Sequence, residues 1–209
     1  MKITARLINI DVDLHAAVND AAELFHSGDV FIYPTDTVYG FGCNPFDQSA
    51  LNKINILKAR KENKRYIILI DSIKSLYNYV KPVSDRYAKL LIKLWPNPVS
   101  VILNLNQKTR EKLNYENAAF RIPANIFCIT LLKKLDMPLI STSVNLSNEK
   151  QLKDHLTIKS NFKDRVSAIF YTNSESDTNP STIIDLTKTE PVVIREGKIN
   201  FMELYQKFT

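Results

Sequence analysis

The sequence predicts an α/β domain. Apolar residues recur at helical spacing in several segments, and these segments alternate with short, continuous β-rich apolar runs. Proline, glycine or cap-forming residues stand at the junctions. With 209 residues, 44% of them apolar and 24% charged, the chain is long enough to bury one core of its own, and a single domain over 1–209 is expected.

After an apolar segment near Leu7 to Ile10, the residues Leu14, Ala17, Val18, Ala21 and Phe25 mark an amphipathic helix, with Asp11 or Asp13 to cap it and Gly28 beyond its end. It leads directly into a strand, Val30 to Tyr33, stopped by Pro34, which has no N–H to continue a central ladder. Asp47 caps a second helix with Ala50, Leu51, Ile54 and Leu57 on one face. Tyr66 to Ile70 is a buried strand, and Ser72 to Tyr79 a short helix. Ser84 caps a helix bearing Tyr87, Leu90, Leu91 and Leu94, which ends at Trp95-Pro-Asn-Pro98. Val99 to Leu105 and Ala118 to Pro123 are strands separated by a polar loop, Asn125 to Leu135 is a helix, and Met137 to Ile140 is an apolar β-type run. Residues 148–180 are polar, with a strand at Val166 to Tyr171 and a mobile segment over 172–179. Two final strands, 180–185 and 192–197, are joined by a turn.

Composition narrows the function classes. The formal charge of +6 suits nucleic acid, nucleotide phosphates or an acidic partner without choosing among them. Two cysteines, Cys43 and Cys128, form neither a metal-type spacing nor a disulfide framework, so a reduced, cytoplasmic protein is expected. The N-terminus has no apolar signal core and no run is long enough to span a membrane. Walker, dinucleotide-binding, zinc-protease and nucleophile-elbow signatures are missing, so any nucleotide chemistry requires another scaffold.

Several stretches carry polar groups where chemistry collects. Asp29 to Gly42 ends a strand in Thr35, Asp36 and Thr37 and holds two of the four glycines, Gly40 and Gly42, as a site-forming turn or as an ordinary loop. Lys58 and Arg60 lie where the second helix fades. They act together only if the backbone leaves the helix near Ala59, and otherwise serve its dipole. Arg121 and Arg195 sit among apolar strand residues, either exposed at an edge or aimed at an anion. Ser141-Thr-Ser143-Val-Asn145-Leu-Ser147 either holds a carboxylate or polyphosphate or satisfies its own turn.

Taken in order, Tyr33-Pro-Thr-Asp-Thr-Val-Tyr-Gly-Phe-Gly42, Lys58-Ala-Arg60, Trp95-Pro-Asn-Pro98, Phe120-Arg-Ile-Pro123, Ser141 to Ser147, Pro180-Ser-Thr-Ile-Ile-Asp185 and Arg195-Glu-Gly197 resemble the YrdC-type threonylcarbamoyl-AMP synthases over about residues 12–200. The resemblance implies a twisted mixed sheet with flanking helices and an open, positively charged cavity. It also implies an enzyme that makes threonylcarbamoyl-AMP and pyrophosphate from L-threonine, bicarbonate or CO2, and ATP, supplying a threonylcarbamoyl transferase machinery that modifies tRNA beside the anticodon.

By the same resemblance, Lys58, Arg60, Ser143 and Asn145 are catalytic and hold ATP together with Arg195, and Thr35, Arg121, Ser141 and Ser181 hold threonine. Magnesium is expected with the ATP phosphates and no dedicated protein cage. Two positions depart from the pattern: Lys61 stands where the family often has proline, and Asn97 where it often has glycine, a replacement that a left-handed turn would tolerate. The separate C-terminal domain of long members is not expected. A weak RNA contact is a further expected partner, with no membrane, and the alternative function is a non-catalytic RNA-binding protein using the basic concave face.

Overall fold

The computed structural model describes residues 4–59, 66–146, 151–174 and 179–206. The elements run in the order β1 (Arg6–Asn9), α1 (Leu14–His26), β2 (Phe31–Tyr33), β3 (Gly40–Gly42), α2 (Gln48–Leu57), β4 (Ile67–Leu69), α3 (Ile73–Leu76), α4 (Asp85–Leu94), β5 (Val99–Asn104), α5 (Gln107–Leu113), β6 (Asn117–Arg121), α6 (Ile126–Leu135), β7 (Leu139–Ser143), α7 (His155–Phe162), β8 (Ala168–Tyr171), β9 (Thr182–Asp185), β10 (Val192–Arg195) and α8 (Phe201–Gln206). The described strands form one mixed sheet in the order β1-β8-β2-β3-β7-β4-β6-β5-β9-β10.

Short continuous apolar runs are what a sheet covered on both faces requires, and the alternation along β2 makes the point. Phe31 and Tyr33 join α1 and α6 in one core layer with Phe127, Leu131 and Phe170. Ile32, between them, joins the opposite layer with Phe41, Ile54, Leu91 and Ile169. One residue of register slip would exchange the two sets, so this pattern fixes how β2 lies between β3 and β8.

The expected caps form. Asp13 accepts from Ala16 N–H, Asp47 from Ser49 and Ala50 N–H, and Ser84 from Tyr87 N–H. Three helices appear where the sequence offers little apolar periodicity: α5 in the polar loop, α7 within 148–180, and α8 near the end. Each is short, and α5 and α7 begin on a cap, Asn106 and Asp154. The segment near Leu7 to Ile10 is a strand, paired in parallel with β8. The connection expected to be mobile, 172–179, lies partly outside the described residues.

The Gly40–Gly42 stretch is also a strand, and neither glycine adopts positive φ; among the described residues the glycine that does is Gly28, at φ 71° after α1. Close packing is the reason for Gly42. A Cβ there would lie 2.7 Å from a Tyr33 ring carbon and 2.8 Å from one of Phe31. Asn97 likewise has no positive φ; its amide donates to Leu94 O at 2.9 Å and closes the end of α4.

Because both rings facing Gly42 are fully buried, Gly42→Ala has nowhere to place its methyl. It is expected to cost about 1–3 kcal/mol, read as a lowered urea midpoint with an unchanged slope.

Candidate active site

The 34–39 connection between β2 and β3 borders a surface of the sheet to which β3, β4, β6, β7 and β9 contribute Gly40, Ile67, Arg121, Ser141, Ser143 and Ile183. A cavity of about 230 Å³ opens there, walled by Thr37, Lys58, Arg121, Ser143, Ser181 and Arg195 among others. Seven of the nine site residues named from the sequence line it: Lys58, Arg121, Ser141, Ser143, Asn145, Ser181 and Arg195. Arg60 lies outside the described residues, as does Lys61. Thr35 is not in the wall. Its hydroxyl donates to Val38 O at 2.8 Å and lies 3.0 Å from the Thr37 hydroxyl, which is the one that lines the cavity.

Lys58 enters because α2 stops one residue before it and Ala59 takes a left-handed conformation, φ 46°. This is the departure from the helix that joint action of Lys58 and Arg60 needs. The Lys58 side chain is 4% exposed, and its ammonium donates to Ser143 O, to Asn145 O at 3.1 Å and to Asn145 Oδ1 at 2.9 Å. Ser143 Oγ donates to the same Asn145 Oδ1 at 2.7 Å. Lysine, serine and asparagine thus form one hydrogen-bonded unit joining the end of α2 to the end of β7. The β7 strand extends through Ser143, so Ser141 and Ser143 project from regular sheet rather than from a loop.

Arg121 reaches the cavity from the last position of β6 and is aimed inward, not at an exposed edge. Its Nη2 donates to Asp36 Oδ1 at 2.6 Å and its Nη1 to Thr37 Oγ1 at 3.2 Å. Arg195 follows a register irregularity between Val193 and Arg195 in the β9–β10 pair, a device that re-aims a side chain. Its guanidinium donates to Ser181 O at 2.7 and 3.2 Å. Ser181 Oγ in turn lies 2.9 Å from Ser100 Oγ in the buried floor. Partial burial, followed by the nearby Arg121 charge, holds the Arg195 guanidinium below its usual pKa range.

Sequence reading did not single out Thr37, which lines the cavity, or Asp36 and Ser100, which bond to the lining residues Arg121 and Ser181. The first two lay in a stretch already marked by its polar side chains, whereas Ser100, inside an apolar strand, gave no signal. Burial pushes the thiols of Cys43 and Cys128 well up, so neither offers a thiolate at neutral pH. Among the described residues no group of three or more His, Cys, Asp or Glu side chains could hold a metal, and no helix is long and apolar enough to cross a membrane.

Fold and cavity define an α/β protein that gathers three cationic side chains, hydroxyls and an amide around a space suited to anions. Residues 23–197 match the Sua5/YciO/YrdC family, described as telomere recombination, and the chain belongs to that family. The chain is 30% identical over 168 residues to the threonylcarbamoyl-AMP synthase of Chromobacterium violaceum, a match covering 79% of this chain and 86% of that one. The structure of Pyrococcus abyssi Sua5 complexed with L-threonine superposes with a TM-score of 0.87 at 25% identity, over 97% of this chain and 60% of that one. Escherichia coli YciO superposes with a TM-score of 0.82 at 27% identity, over 95% and 97%.

Replacing Lys58 by Met removes the ammonium from a nearly closed setting and leaves its three oxygen acceptors short of a donor. Lys58→Met is expected to lower stability by about 1–3 kcal/mol in urea titration, and to speed amide exchange at 143–146 more than in α1.

Proposed function

We propose that this protein is an L-threonylcarbamoyladenylate synthase, a nucleotidyltransferase that forms threonylcarbamoyl-AMP and pyrophosphate from L-threonine, bicarbonate or CO2, and ATP. The observation that carries the reading is the convergence of Lys58, Arg121, Ser143, Asn145 and Arg195 on one cavity in a chain of this family. Two anionic substrates must meet there, and the cavity offers cations along more than one wall.

In this reading the threonine ammonium loses one proton to solvent, and the amine so formed bonds to the carbon of CO2 and releases a second proton to solvent as the carbamate forms. A carbamate oxygen then bonds to the α-phosphorus as the bond to the bridging oxygen breaks and pyrophosphate leaves. Lys58 and Arg60 neutralise charge at the phosphates, Lys58 while holding the Ser143–Asn145 turn in place, and Arg195 takes the nucleotide. Ser143 and Asn145 orient phosphate and carbamate by hydrogen bonds. Arg121 pairs with the threonine carboxylate, with Ser141 and Ser181 beside it and Thr35 acting through the Thr37 hydroxyl.

The described side chains provide no carboxylate set for a resident magnesium ion, so it would arrive on the ATP phosphates, where it supplies charge neutralisation. The product would pass to a threonylcarbamoyl transferase acting on tRNA.

The purified protein incubated with ATP, magnesium and bicarbonate is expected to release pyrophosphate and to form threonylcarbamoyl-AMP, identified by mass spectrometry, only when L-threonine is added. No adenylate from the folded protein would refute the proposal, and salt-sensitive RNA binding in its place would favour a binding module. Arg121→Ala is expected to reduce kcat/KM for L-threonine about 10- to 100-fold, the loss of a charge-assisted contact, with a smaller effect on ATP.

A further inference from the structure

We infer that Asp36 is a positioning residue that makes the cations of the cavity unequal, reserving Arg121 for a carboxylate and leaving Lys58 and Arg195 to phosphates. The identity of the two anions rests on the synthase reading above. Arg121 and Thr37 line the cavity, and Asp36 is bonded directly to Arg121, its Oδ1 accepting from Nη2 at 2.6 Å. The Asp36 and Arg121 side chains are 12% and 4% exposed.

Consecutive residues of one turn hold both terminal nitrogens of the guanidinium, Asp36 at Nη2 and Thr37 at Nη1. Thr37 is itself fixed, because its N–H donates to Thr35 Oγ1 at 3.1 Å. The pair is incomplete as an ion pair. Asp36 Oδ2 and Arg121 Nε are both buried with no hydrogen-bond partner among the described residues. A pair serving stability alone would be expected to close both bonds, since each buried unpaired group is costly. This one orients the guanidinium and supplies a counter-charge while leaving part of its bonding capacity unused.

Charge supplies the second half of the argument. Arg195 and Arg121 line the same cavity, and among the described residues the partners of Arg195 are the carbonyl and hydroxyl of Ser181 rather than a carboxylate. Of two neighbouring guanidiniums, one therefore carries a fixed counter-charge and the other does not. A singly charged carboxylate gains oriented N–H donors at Arg121 with little excess positive charge to attract it non-selectively. A phosphate meets the Asp36 carboxylate there and is turned toward Arg195. With Asp36 neutral, both guanidiniums would draw phosphate.

The test is Asp36→Asn, which keeps shape and the acceptor facing Nη2 but removes the charge. In steady-state assays of the variant, inorganic phosphate is expected to become competitive against L-threonine, raising the apparent threonine KM about tenfold at a phosphate concentration that leaves the parent's threonine KM unchanged, with ATP KM at saturating threonine unaltered by the substitution. In the parent protein phosphate should compete against ATP alone. A variant with the parent's threonine KM and inhibition pattern overturns the inference. So does an equal rise in both KM values with a lowered melting temperature, the mark of a general structural defect.

If the parent protein proves inactive, the synthase reading fails and the Asp36 inference is still decided by calorimetric titration of inorganic phosphate into both proteins. An additional phosphate site in the variant supports it. The same number of sites in both refutes it.

Discussion

The Lys58 ammonium, held by Ser143 O, Asn145 O and Asn145 Oδ1, is the contact on which the rest of the site depends. A lysine this deeply buried must have its hydrogens bound or lose its charge, and here the acceptors come from a segment 85 residues further along the chain. The bond works in both directions. It permits the ammonium to stay below the surface, and it folds 143–145 into a defined turn whose Ser143 hydroxyl and Asn145 amide are already organised. The left-handed Ala59 is part of the same arrangement, since it ends the helical path directly after Lys58.

Around that anchor, each cation is supported differently. Lys58 is chelated by carbonyl and amide oxygens, Arg195 by the Ser181 carbonyl and hydroxyl, and Arg121 by a carboxylate and a hydroxyl. Such support fixes the positive groups in place before any anion enters the cavity, the condition from which electrostatic stabilisation of an anion draws its strength. The framework behind these contacts is a sheet buried on both faces, which gives rigid strand ends from which short side chains act at defined distances.

Sequence and structure agree best where local chemistry decides conformation. Asp13, Asp47 and Ser84 cap helices because a side-chain oxygen next to free N–H groups is stabilising wherever the chain goes. Buried strands such as Ile67–Leu69 read directly from their apolar runs. The strand Gly40–Gly42 did not, because its glycines answer to the rings of Phe31 and Tyr33 across the sheet, a packing fact with no local signal. The helices α5, α7 and α8 escaped notice for a related reason: each is too short for periodicity to stand out, and tertiary packing rather than propensity sustains it.

By itself, the sequence determined the α/β class, most element positions and, through the order of its motifs, the family and the set of polar residues to watch. Only the tertiary structure decided where those residues are placed. Whether Arg121 points outward or into the cavity, whether Thr35 or Thr37 presents its hydroxyl, and which carboxylate pairs with Arg121 all depend on strand order, on the turn between β2 and β3, and on contacts between residues 84 or more apart in the chain. Local sequence encodes backbone propensity and periodicity over a few residues. Side-chain pairing across a mixed sheet is fixed by the register of strands that meet only after the chain has folded.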